Sequence, residues 1–195
     1  MAKLIRNGLI TLEAYAKQRN TFRTEVIAHK KNRNVALGDH VTLLFEDEMT
    51  IRYQVQEMLR AEKIFEEAGI QDELDAYNPL IPDGSNWKAT MLIEYEDIAE
   101  RRLMLARMID IEHRVWVQVA GCARVHAIAD EDLDRSTEQK TSAVHFLRFE
   151  LTPEMSRGLK QGASLSMGVD HPAYQATLDP LPPATRASLL RDLQD

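Results

Sequence analysis

The chain has 195 residues, a formal net charge of −7, 44% hydrophobic and 28% charged residues, and a single cysteine. That length buries a core without covalent staples. The acidity argues against generic nucleic-acid binding, which needs a cationic surface, and the lone Cys122 excludes an internal disulfide framework or a CxxC motif. The N-terminal MAKLIRNGLITLEAYAKQ has no long apolar run and no small-residue cleavage site, and no stretch is apolar for the length of a bilayer. A cytoplasmic location without membrane insertion is expected.

In chain order, the pattern first predicts a helix from about Thr11 to Lys31, capped by Thr11, with Leu12, Tyr15, Phe22 and Val26 as its apolar stripe. Asn32 to Asp39 breaks the periodicity, with Gly38 as a turn residue. His40 to Phe45 reads as a buried strand. A second helix is predicted from Asp47 to Ala68, closed by Gly69, and IQDELDAY as a short helix ending before Pro79. PLIPDGSNWK reads as a loop with a turn at Pro82–Gly84, its Trp87 either a contact residue or a core anchor.

Lys88 to Tyr95 is the next predicted strand, followed by a helix from Asp97 to Met108. Arg114 to Val119 and Arg124 to Ala129 form a predicted hairpin around Gly121. EDLDRSTEQK is polar and irregular, and Ser142 to Leu151 is a strand. Thr152-Pro153 starts a helix that Gly162 ends, and Leu165 to Val169 is the last expected strand. Helices separate the strands in the first half, and strands cluster in the second. The expected fold is therefore α+β: a single domain over 1–180 with a mainly antiparallel sheet of about five to six strands, then a proline linker and short helix over 181–195.

Two charge clusters stand out. HKKNR, with His29, Lys30, Lys31 and Arg33, falls where the first helix ends, and EDE, Glu46 to Glu48, where the second begins. Cations at a helix C-terminus and anions at an N-terminus are both favoured by the helix dipole, by about 0.3–1 kcal/mol each. The alternative use of HKKNR is an anion or partner site. In the second helix Tyr53, Glu57 and Arg60 share a face at i, i+4 and i+7, and Arg52 lies beside them. A carboxylate held by arginine there can orient a substrate or take a proton; a solvated face with helix salt links is the plainer reading. His29, Lys30, Lys31, Arg33, Arg52, Tyr53, Glu57 and Arg60 are thus the candidate ligand or partner site, for a small anion or a protein. No catalytic residue is assigned.

Of the six histidines, none sits in an HExxH motif. His145 alternates with Ala143, Leu147, Phe149 and Leu151, which places it on the apolar face of its strand. His126, His145, Asp170 and His171 are the weak metal candidates, since imidazole with carboxylate suits iron or zinc. No cofactor is expected.

Taken together, HKKNR, LGDHVTLLFED, TIRYQVQEMLR, YNPLIPDGSN, KATMLIEY, AIADEDLDR and KTSAVHFLRFELT resemble an uncharacterised bacterial family known only as a domain of unknown function. The resemblance runs from about Leu9 to Tyr174 and brings no activity or catalytic residue with it. It does imply a setting, because genes of the family neighbour those of rubrerythrin-like proteins and iron–sulfur oxidoreductases. The chain lacks the cysteines for a cluster and the paired Glu-x-x-His helices of a di-iron bundle. The resemblance therefore implies a non-catalytic accessory protein with a redox partner. A small enzyme or binding domain for an anionic metabolite is the second reading, and a His/carboxylate metal protein the third.

Overall fold

A computed structural model describes residues 3–194. Helix α1 spans Leu12–Lys30, with the Thr11 hydroxyl accepting from Ala14 N–H as the cap requires. Strands β1 (Asn34–Leu37) and β2 (Val41–Glu46) form a hairpin. Gly38 turns it at φ +70°, where a Cβ would lie 2.6 Å from the Tyr174 hydroxyl, so both conformation and space call for glycine. The β1 strand lies inside the segment expected to be a loop.

Helix α2 (Glu48–Ala61) begins in a capping box between Asp47 and Thr50. It ends seven residues earlier than the periodicity predicts. Lys63 adopts a left-handed φ of 57°, and Ile64 N–H bonds back to Leu59 C=O, the closure usually made by glycine. Gly69, expected to be the stop, lies inside α3 (Glu67–Tyr77).

Next come β3 (Asn86–Ile93), α4 (Ile98–Arg107), β4 (Val115–Val119), β5 (Val125–His126), β6 (Ile128–Ala129) and β7 (Val144–Glu150). The chain continues through α5 (Pro153–Lys160), β8 (Leu165–His171), β9 (Tyr174–Leu178) and α6 (Pro183–Leu190). The fold is α+β and antiparallel, but the strands divide into two sheets rather than one: β1-β2-β3-β7-β6 and β5-β4-β8-β9. The predicted second strand of the β4 hairpin is split at buried Ala127, so that β5 joins one sheet and β6 the other. On the far side Tyr174 donates to Leu37 C=O and accepts from His40 N–H, tying β9 to β1.

The inner faces of both sheets share one core, with Leu43, Met91 and Phe149 from the first and Val117 and Met167 from the second. A smaller apolar cluster, including Ile51, Val55, Leu59, Ile70 and Leu74, holds α2 and α3 together. The C-terminal segment packs into the main core: Leu189 is fully buried, and its carbonyl accepts the Trp87 indole N–H at 2.9 Å. Trp87, drawn from the expected loop, is thus a core anchor on β3.

Candidate functional site

The two charge clusters meet each other. Antiparallel pairing of β1 with β2 brings the end of α1 to the start of α2. There His29 Nε2 lies 2.5 Å from Asp47 Oδ2, and Arg33 Nε is 3.4 Å from the same oxygen. Arg33, only 1% exposed, also reaches Asp192 at 2.5 and 3.2 Å and donates to the carbonyls of Phe45 and Glu46. Burial would raise the Asp47 carboxyl, but Arg33, the Thr50 N–H and His29 outweigh it and hold it below its ordinary range. Asp192 is pushed up to about 6 by burial, against the pull of Arg33, with the like charge of Asp47 adding to the rise. Beyond the dipole of each helix, the clusters form a knot joining α1, β2, α2 and the C-terminal segment.

The α2 platform is also internally paired. Glu57 takes a two-pronged bond from Arg19, at 2.7 Å on each oxygen, and the Tyr15 hydroxyl at 2.5 Å. Arg19 holds the Glu57 carboxyl below its usual range, while burial and Glu57 raise the Tyr15 phenol. Arg52 pairs with Glu48 one turn back. Tyr53 packs edge-on against Phe22. Lys31 and Arg60 are exposed. The eight candidate residues are therefore divided among separate places, and Lys30 alone of the basic cluster lines a cavity with the α2 residue Gln54.

The weak metal candidates are likewise dispersed. His126 and Asp170 approach to 3.4 Å on the exposed face of the four-stranded sheet, near Arg124, which lies over the Trp116 ring. His171 bonds Ile109 C=O. His145 lies on the apolar face, as its alternation predicts, and is fully buried. Its partners flank the polar, irregular stretch. Nδ1 is 2.6 Å from Asp130, and Nε2 is 2.8 Å from the Thr141 hydroxyl and 3.1 Å from Ser142 C=O. The Ser136 and Thr141 hydroxyls both donate to Glu112, and Arg135 donates to Asp130.

Glu112, Asp130 and His145 offer ligand atoms within 4.8 Å of one another. A divalent ion there would have to displace the hydroxyl bonds that now hold Glu112. As it stands, the arrangement pins the 130–141 segment to β7 and to the turn before β4.

A concavity of about 860 Å³ lies outside the predicted site. It opens beside the β1–β2 turn and the end of β3, and its wall carries Asp39, Glu94, Glu96 and Glu100 against Arg101 and His40. His40 stacks on Tyr95 with ring centres 3.9 Å apart. The four carboxylates enter no ion pair among the described residues, and only Glu94 has a side-chain bond, from Thr42. On α4, Ile98 and Leu103 are 64% and 58% exposed. The acid-rich run IEYEDIAE at the end of a predicted strand was the available signal for this bowl.

A family model described as "Protein of unknown function (DUF3501)" matches residues 3–193. A crystal structure of a "novel protein of unknown function" from Burkholderia pseudomallei K96243 is 58% identical, covering 99% of this chain and 100% of that one, with a TM-score of 0.94. No curated protein matches the chain. No helix among the described residues is long and apolar enough to cross a membrane.

Proposed function

The chain belongs to this family of unknown function, and we propose that it is a non-catalytic accessory protein that works by docking a cationic partner surface at the acidic bowl. The observation that carries the reading is the open 860 Å³ concavity whose four carboxylates lack ion-pair partners among the described residues. Such unpaired charge, predominantly negative with Arg101 the one arginine among the described residues of the wall, steers a cationic partner and fixes its register. Ile98 and Leu103, exposed on the helix that contributes Glu100 and Arg101, offer apolar contact area on the same element. Redox or peroxide metabolism, the setting implied by the family resemblance, makes a redox protein the partner, in the cytoplasm.

The test is affinity purification from the native cells at low salt, with wild type and with Glu96→Lys/Glu100→Lys as baits. The reading expects one stoichiometric protein on the wild type, lost with the double variant and with added salt. Recovery of the wild type as a lone species, or equal recovery of the partner on both baits, overturns it.

A further inference from the structure

A second concavity, of about 250 Å³, lies between the outer face of the five-stranded sheet and the helices above it. Its floor is formed by Leu44 of β2, Thr90 of β3, and Val144 and Phe146 of β7, and is apolar apart from the threonine. Two opposite charges face it. Glu46, at the end of β2, is 9% exposed, and its carboxylate is fixed by two hydroxyls, Thr50 at 2.6 Å and Thr90 at 2.9 Å. A carboxylate accepts about four bonds, so lone pairs remain for a further donor. Lys30, the last residue of α1, is half-buried and has no ion-pair partner among the described residues. The two residues line one cavity without closing on each other. By contrast, Arg33 is closed on Asp47 and Asp192, and His145 on Asp130.

We propose that this cavity binds a small zwitterion with a short apolar tail, the chemistry of a free aliphatic α-amino acid. Lys30 takes the carboxylate, Glu46 takes the ammonium, and Leu44, Val144 and Phe146 receive the tail. Gln54, on the same wall, supplies an amide to either end. A simple carboxylate meets the charge of Glu46, and a simple amine meets that of Lys30, so each is disfavoured by the group that welcomes the other end. The space equals the liquid volume of about eight waters, the scale of a molecule with roughly nine non-hydrogen atoms such as leucine.

Calorimetric titration of the full chain with L-leucine, 4-methylpentanoate and 3-methylbutylamine tests the proposal. L-leucine is expected to bind one to one, and each single-charge analogue at least about tenfold more weakly. Lys30→Met should lower leucine affinity to that of the amine. Val144→Trp, which fills the cavity without touching either charge, should abolish binding, with unfolding curves confirming that both variants are folded. Absence of leucine binding up to about 20 mM, where even a millimolar site would be nearly saturated, overturns the proposal. So do equal affinities for the three probes, or leucine binding unchanged by Lys30→Met and Val144→Trp.

Discussion

The Arg33 knot and the acidic bowl lie at opposite extremes of how this molecule uses charge. In the knot, one guanidinium is buried against two carboxylates and three carbonyls drawn from segments as far apart as Phe45 and Asp192. In the bowl, four carboxylates line one open wall with no ion pair among the described residues. Charge removed from water must be matched or it is costly, so the knot serves to hold the chain ends and the sheet hairpin in register. Charge left in water costs little and remains available to a partner. A cluster of ionisable residues in the sequence is therefore not itself evidence of a site; what matters is whether the fold closes it.

The largest effect should come from opening the knot. Arg33→Ala strands Asp47 and Asp192 and should cost about 3–5 kcal/mol, read from denaturant unfolding. Arg19→Ala, at the partly exposed Glu57 pair, should cost only about 1 kcal/mol. Equal costs would erase the distinction between closed and solvated charge. Leu189→Ala should cost about 2–5 kcal/mol, because α6 is packed into the main core; a loss below about 0.5 kcal/mol would make that helix an appendage.

The knot also predicts a pH dependence. The Asp192 carboxyl is raised from 3.8 to about 6 by burial, so the folded state holds that proton more tightly than the unfolded chain does. The resulting stabilisation is full below about pH 3.8 and is lost as pH rises through about 6, a change of up to about 3 kcal/mol. Asp47, lowered in the fold, works in the opposite sense and loses its contribution as pH falls. Asp192→Asn should therefore cost less at pH 6.5 than at pH 4, measured as unfolding free energy at each pH. A cost independent of pH would contradict the titration. The smallest effect is expected at the bowl, where Glu96→Lys/Glu100→Lys should leave stability within about 0.5 kcal/mol of wild type.

How much of this was legible in the sequence depended on the range of the interaction. The caps at Thr11 and Thr152 were readable because each acts on an N–H three residues away. The apolar placement of His145 was readable because strand alternation is local. The α2–α3 break was not, because a lysine occupies the left-handed position where glycine is the usual signal. Strands β1 and β9 were missed because each is short, and in β9 no residue is fully buried. The partners of Arg33 and His145 were hidden for a different reason: Asp192 lies 159 residues from Arg33, and Asp130 lies 15 residues from His145, on the far side of the irregular EDLDRSTEQK. Long-range charge pairing leaves no spacing signature, so HKKNR and EDE looked like two helix ends rather than one joint.

The central claim is that closed charge supports the fold while open charge makes the contact. Its most direct test is the amount of partner recovered per mole of folded bait from native cells, for wild type, Glu96→Lys/Glu100→Lys and Arg19→Ala. The account predicts full recovery on Arg19→Ala and loss on the double variant, whose unfolding midpoint stays at the wild-type value. Partner retained by the double variant, or lost equally from both variants, would contradict it.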